Sequence, residues 1–219
     1  MDDIITKITT DKRGATVVIN EEITLWFGRS YWYERGLKEG EAVDLAELRE
    51  WLLPRQYNSA LSYAVSLLAL KARSTSEIRK KLIQRLYMDE TVEMVLYKLE
   101  KEKLVDDEAF ARDFAASKSR KQMGKRRIVQ ELWMKGITGE AAQQAIDELD
   151  EDEKDEQATA LAMKLVRKYQ NEEPRKAMQK ALAAMARRGY DYEDSKNALS
   201  AAIHKIDAED EDDDDESGE

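Results

Sequence analysis

LVDDEAFARDFAASKSRKQMGKRRIVQELWMKGI, Leu104 to Ile137, decides the fold of this chain. Apolar residues recur at helical spacing on both sides of a run of cations, and Gly136 closes the second helix. That glycine fits the left-handed C′ position, which sets Leu132 at C3 against Ile137 at C″. At the other end Asp106 stands where an N-cap belongs, ready to accept a backbone N–H from the first turn. The segment therefore reads as helix, basic elbow, helix, glycine stop.

Outward from this stretch the same grammar recurs. Ile78, Leu82 and Tyr87 match Ile128, Leu132 and Ile137, and Val92, Val95 and Leu96 match Ala142, Ala145 and Ile146, all at one constant offset. Met185, Tyr190, Ala198 and Leu199 continue the register at a second constant offset, with Gly189 in the place of Gly136. Repeats of this length, each too small to bury its own apolar face, imply stacked three-helix modules. In the first module the stop position holds Leu86, which a left-handed turn penalises, so a differently built turn is expected there.

The first residues have another texture. Ile4 to Thr10 and Ala15 to Asn20 are rich in Ile, Thr and Val and flank Asp-Lys-Arg-Gly, which predicts a β-hairpin, with Thr24 to Phe27 as a third strand. SYWYERG predicts a short helix stopped by Gly36. Trp26, Phe27, Tyr31, Trp32 and Tyr33 read as the core of this small sheet rather than as a stacking platform, because aromatics supply most of the burial in small cores. A helix from Val43 to Leu53 should end before Pro54, with Arg55 to Asn58 as a connector. The expected organisation is a strand-rich cap over 1–54, three-helix repeats over 59–104, 105–149 and 150–206, and a disordered acidic tail over 207–219.

Composition narrows the function. The 219 residues are 42% apolar and 37% charged, with two prolines, no cysteine and one histidine. The absence of cysteine excludes disulfides, thiolate metal sites and cysteine nucleophiles. No apolar run approaches the roughly 20 residues that span a bilayer, and MDDIITKITT lacks the features of a secretory signal, so a cytoplasmic protein is expected. The net charge of −10 is misleading, because DAEDEDDDDESGE alone carries ten acidic residues and no basic one, leaving a near-neutral body. So dense a run of like charge cannot repay its own ordering.

Within that body the cations gather between the first and second helices of each repeat: Lys71 and Arg73, then Lys118, Arg120, Lys121, Lys125, Arg126 and Arg127, then Arg175 and Lys176. The middle elbow is the richest, with no acidic residue from Lys118 to Arg127. Helix C-termini favour cations, which covers Lys118, Arg120 and Lys121. Lys125, Arg126 and Arg127 instead open a helix, where the macrodipole favours Asp or Glu, so an anionic contact outside the helix is expected to hold them there.

Ala64 to Leu70, RSTSEIRKKL (Arg73 to Leu82), LVDDEAFARDF (Leu104 to Phe114) and KRRIVQELWMKG (Lys125 to Gly136) resemble the RecX family of bacterial regulatory proteins, modulators of the RecA recombinase. The likeness is close over Ser59 to Leu149 and looser beyond. It implies a mainly α fold of tandem three-helix repeats forming an elongated curved body with a small N-terminal cap. Its implied partner is the RecA nucleoprotein filament, in whose groove it would restrain ATP hydrolysis and strand exchange, with a role in DNA repair, recombination and the SOS response. A monomer without cofactor, metal or catalytic residue is expected, with single- or double-stranded DNA as a further partner. The alternative is a stand-alone DNA-binding protein whose helix-turn-helix-like repeats touch phosphates alone.

Several residues invite other readings. Asp106, Asp107 and Glu108 point in different directions around a first turn, where acidic residues are ordinary, and so make a poor metal site. His204 has no ligand partner at helical spacing. Trp133 and Met134 flank the Leu132 stripe and are expected in the core or between repeats.

Overall fold

The structure, a computed structural model, describes the backbone of residues 3–216 and the side chains of residues 3–208. It divides into two compact units, Met1–Asp106 and Asp107–Glu219. Among the described residues it is mainly helical, with one small antiparallel sheet.

The first unit opens with β1 (Asp3–Asp11), β2 (Gly14–Ile19) and β3 (Ile23–Gly28), then α1 (Arg29–Arg35) and β4 (Ala42–Val43). Sheet order is β3-β2-β1-β4, with Ile8 opposite Val17 and Val17 opposite Leu25. The fourth strand, a two-residue pairing of Asp3 with Val43 and Ile4 with Ala42, was too short to read from sequence. Alternation puts Ile5, Val17, Ile19 and Leu25 on the buried face. Of the five aromatics assigned to this core, Trp26, Phe27 and Tyr31 are buried and Trp32 packs at its edge, whereas Tyr33 is exposed.

The helix expected to stop before Pro54 does not stop. Leu45–Leu70 is one helix, α2, N-capped by the Asp44 side chain, which accepts from Glu47 N at 3.0 Å. Proline costs the helix one hydrogen bond and crowds the preceding turn. That cost is outweighed by an unbroken buried stripe, Leu48, Leu52, Gln56, Ala60 and Ala64, which packs on both sides of Pro54 into one core. Arg55 reinforces the passage: it donates to Trp51 O at 3.1 Å and lies 3.9 Å from the Trp51 ring centre. Gln56, assigned to a connector from sequence, is fully buried. Its Nε2 donates to Trp26 O at 2.7 Å, and its Oε1 accepts from Met88 N at 2.8 Å and Thr91 Oγ1 at 3.3 Å, tying the sheet and α2 to the helix that follows Met88.

α3 (Thr75–Ile83) and α4 (Asp89–Lys101) complete the first repeat. In the second unit α5 (Asp107–Ser119), α6 (Lys125–Met134) and α7 (Gly139–Asp147) form the second repeat, and α8 (Glu151–Tyr169), α9 (Pro174–Arg187) and α10 (Tyr192–Glu216) the third. Every residue matched across the repeats is buried, from Ile78, Leu82 and Tyr87 to Met185, Tyr190 and Leu199. The second and third repeats keep separate cores. α10 continues through Glu216, into the stretch expected as an acidic tail from residue 207. The end of the acidic tail, residues 217–219, lies outside the described residues.

A second correction concerns Leu86. Its φ is 61°, against 82° at Gly136 and 92° at Gly189, and the same closing bond recurs: Tyr87 N to Leu82 O at 3.4 Å, Ile137 N to Leu132 O at 3.0 Å, Tyr190 N to Met185 O at 3.3 Å. All three repeats thus use one turn, and the first builds it with a strained leucine. The buried pair Leu82 and Tyr87 holds it in place. Because Leu86 is 44% exposed and so gives up only part of its burial, Leu86→Gly should raise stability by about 1 kcal/mol, seen as a higher urea midpoint at unchanged slope.

Candidate functional site

The middle elbow is built from both ends. α5 terminates through Gln122 in the left-handed region (φ 57°), with Met123 N donating to Lys118 O at 3.2 Å. Gly124 then serves as N-cap of α6 but has no side chain to satisfy the free N–H groups of the first turn. The end of α9 does so instead. Gly124 N donates to Arg188 O at 2.9 Å and Arg126 N donates to Gly189 O at 3.1 Å.

Contact at this junction is backbone on backbone. A Cβ at Gly124 would lie 2.3 Å from Tyr190 N, and one at Gly189 would lie 2.3 Å from Arg127 Cβ. Glycine is required at both positions by space. At the same repeat position in the first unit, Ser74 caps α3 with its own side chain in a capping box with Glu77. Elsewhere in the elbow, Arg188 Nη1 donates to Lys121 O at 3.3 Å and Lys164 Nζ to Gln122 Oε1 at 3.1 Å. The loop is held by the third repeat at four points.

This geometry revises the argument about Lys125, Arg126 and Arg127. Sequence showed three cations at a helix start, where the dipole opposes them; the fold sets the carbonyl end of α9 against that start, and its partial negative charge offsets the dipole. Lys125 borders a cleft with Glu151, Asp155 and Asp194. The Asp194 carboxyl is raised above its usual value by burial and by the neighbouring Asp191, with Lys125 opposing the shift. Arg127 pairs with Glu131 at 3.3 Å, and Lys118 with the same carboxylate at 2.6 Å. Hydrogen bonding from Lys118, then attraction to both cations, holds Glu131 below the ordinary carboxylate range.

The ten cations singled out from sequence therefore separate by environment. Arg73 folds back toward Leu67 O, while Lys71 lies exposed at the end of α2. Lys176 faces Glu172 at 3.5 Å, and the N-cap Glu173 accepts from the backbone of Arg175 and Lys176, placing a carboxylate beside both. In the middle elbow Lys118, Lys125 and Arg127 have acidic neighbours. Arg120, Lys121 and Arg126 are exposed, and among the described residues none has an ion-pair partner. These three leave an exposed cationic surface, on a scaffold built by the helix junction.

Two further residues depart from their sequence assignment. Trp133 and Met134, expected in the core or between repeats, are 67% and 57% exposed. The signal was available: Ile128 and Leu132 define the buried stripe of α6, and positions 133 and 134 lie one and two residues past it, rotated toward solvent. His204 is exposed on α10, and among the described residues no group of three acidic, His or Cys side chains could hold a metal ion. No helix among them is long and apolar enough to cross a membrane.

Comparison with known proteins matches the repeats in order. Family models for the first, second and third three-helix domains of RecX cover residues 60–99, 106–146 and 151–199. The regulatory protein RecX of Clostridioides difficile (strain 630) is 27% identical over 205 residues, 92% of this chain and 96% of that one. That of Amycolatopsis mediterranei (strain U-32) is 32% identical over 136 residues, 62% and 78% of the two chains. A crystal structure of regulatory protein RecX aligns with a TM-score of 0.62 at 25% identity, over 89% of this chain and 97% of that one. RecX from Lactobacillus salivarius aligns at 0.65 and 20% identity, a likeness of fold.

Two outcomes follow from the junction. Gly124→Ala drives a methyl into backbone that cannot yield, and should cost about 2 kcal/mol in thermal unfolding, with loss of hydrogen-exchange protection at the Arg126 amide. Glu131→Gln tests the ion pairs. A carboxyl held low when folded contributes stability above its usual range and loses it as pH falls. The variant should therefore be up to about 1 kcal/mol less stable than the parent at neutral pH, and the gap should close below about pH 4.

Proposed function

Because the chain belongs to the RecX family of regulatory proteins, we propose that it regulates the RecA recombinase by binding the RecA–DNA filament. On this reading it performs no chemistry. Docked in the filament groove, its repeats over 59–104, 105–149 and 150–206 bridge neighbouring protomers and the phosphates beside them, and so oppose the motions coupled to ATP turnover and strand exchange. The observation that carries the proposal is the trio Arg120, Lys121 and Arg126: exposed, without ion-pair partners among the described residues, and set on the loop and helix start that the third repeat holds by hydrogen bonds.

Preorganisation matters for such a contact. A cation on a mobile loop loses conformational freedom on binding, whereas these are carried on backbone already fixed by four hydrogen bonds. Lys118, Lys125 and Arg127 stand in this proposal as flanking charge that raises the local potential, and Lys71, Arg73, Arg175 and Lys176 as contacts made by the elbows of the other repeats. The chain acts as a monomer in the cytoplasm, and its near-neutral body with a basic central elbow reconciles an acidic net charge with an anionic partner.

DNA-dependent ATP hydrolysis by the cognate RecA, titrated with this protein, tests the reading; unchanged turnover at saturation would sink it. The triple variant Arg120→Ala, Lys121→Ala, Arg126→Ala should keep its helicity and need about tenfold more protein for the same inhibition, as expected when three exposed charge contacts are lost. Equal binding to bare and RecA-coated DNA at physiological salt would favour the stand-alone DNA-binding alternative.

A further inference from the structure

α6 presents a second face, which shares only Arg126 with the exposed cationic trio. Between it and the start of α7 runs a groove of about 320 Å³, floored by Ile137 and Ala142 and walled by Arg126, Val129 and Trp133. Trp133 is 67% exposed, although burying a Trp is ordinarily worth more than burying any other side chain. The three other tryptophans are packed: Trp26 is 9% exposed, and Trp32 and Trp51 pack against the N-terminal core. Arg126 stands on the same face as Trp133, two turns toward the N-terminus and about 10 Å along the axis. No Asp or Glu lines the groove, so the Arg126 charge meets no carboxylate there.

We propose that this groove is a single-stranded nucleic-acid subsite, in which Trp133 stacks on an unpaired base and Arg126 holds the neighbouring phosphate. An indole face with a free guanidinium beside it is what a nucleotide uses whole, since the base offers a π surface and the phosphate a charge. An acidic peptide would engage the guanidinium and leave the indole without a flat partner. Duplex DNA would engage the charge only, its base faces being already stacked. Val129, Ile137 and Ala142 make the groove apolar enough to exclude water from a stacked ring. The inference deepens the filament reading, and rests on it, by naming the strand form met at this elbow.

The test uses the full chain without RecA, so that its failure is separable from failure of the filament reading. Anisotropy of a labelled oligo(dT), at low salt, is compared with that of an abasic oligomer of equal length. The parent should bind oligo(dT) about tenfold more tightly than the abasic strand. Trp133→Ala should abolish that preference, Trp133→Phe should keep most of it, and neither should alter the salt dependence. Arg126→Ala should weaken both strands alike and reduce the log–log salt slope by about 0.7. Intrinsic fluorescence adds an independent readout, because quenching by oligo(dT) should disappear in Trp133→Phe. Absence of oligo(dT) binding by the parent, or equal affinity for the two strands, overturns the proposal. So does a Trp133→Ala protein that loses inhibition of RecA while its oligo(dT) titration is unchanged, a result that would assign the face to a protein partner.

Discussion

Two hydrogen bonds between helix ends organise the second unit. α6 begins at a glycine with free N–H groups, α9 ends at a glycine with free carbonyls, and each end satisfies the other. Such bonds contribute about 1 kcal/mol each, and the burial of Gly124 and Gly189 makes leaving their backbone groups unpaired cost more than the bonds supply. Their geometry also excludes any side chain at Gly124 or Gly189. The junction joins two repeats whose apolar cores are otherwise separate, so polar backbone, not hydrophobic surface, fixes the elbow between them.

The same turn recurs in three places, and what it touches differs between Gly189 and Leu86. At Gly189 it receives another helix, and glycine is needed for both the left-handed φ and the space. Leu86 takes the same φ with a side chain that is 44% exposed. There conformational strain is tolerated because the flanking Leu82 and Tyr87 are buried and fix the path of the chain. A repeat family can therefore keep one backbone trajectory while varying what the turn touches, and residue choice at the turn reports which neighbour is present.

Much of this was legible from the sequence. Helical period and constant offset located the buried residues of every repeat, because both record local geometry. Position 54 was misread because proline is a local signal, whereas the stripe from Leu48 to Ala64 that overrides it depends on the sheet packed across it. Lys125 to Arg127 defied a local rule, and the carbonyls that resolve the conflict arrive from residues 188 and 189, a distance no window along the chain can span. Trp133 was misplaced for a different reason: the expectation grouped it with the Leu132 stripe that it flanks, whereas its helical angle points outward.

Gln56 bears on how the first unit comes apart. One buried amide joins a strand, a long helix and the start of another helix, so none of the three can leave without stranding a polar group in an apolar core. The sheet and the first repeat, which composition would divide near residue 54, should accordingly melt as a single cooperative block, and the smallest autonomous piece of the N-terminal half is the entire half.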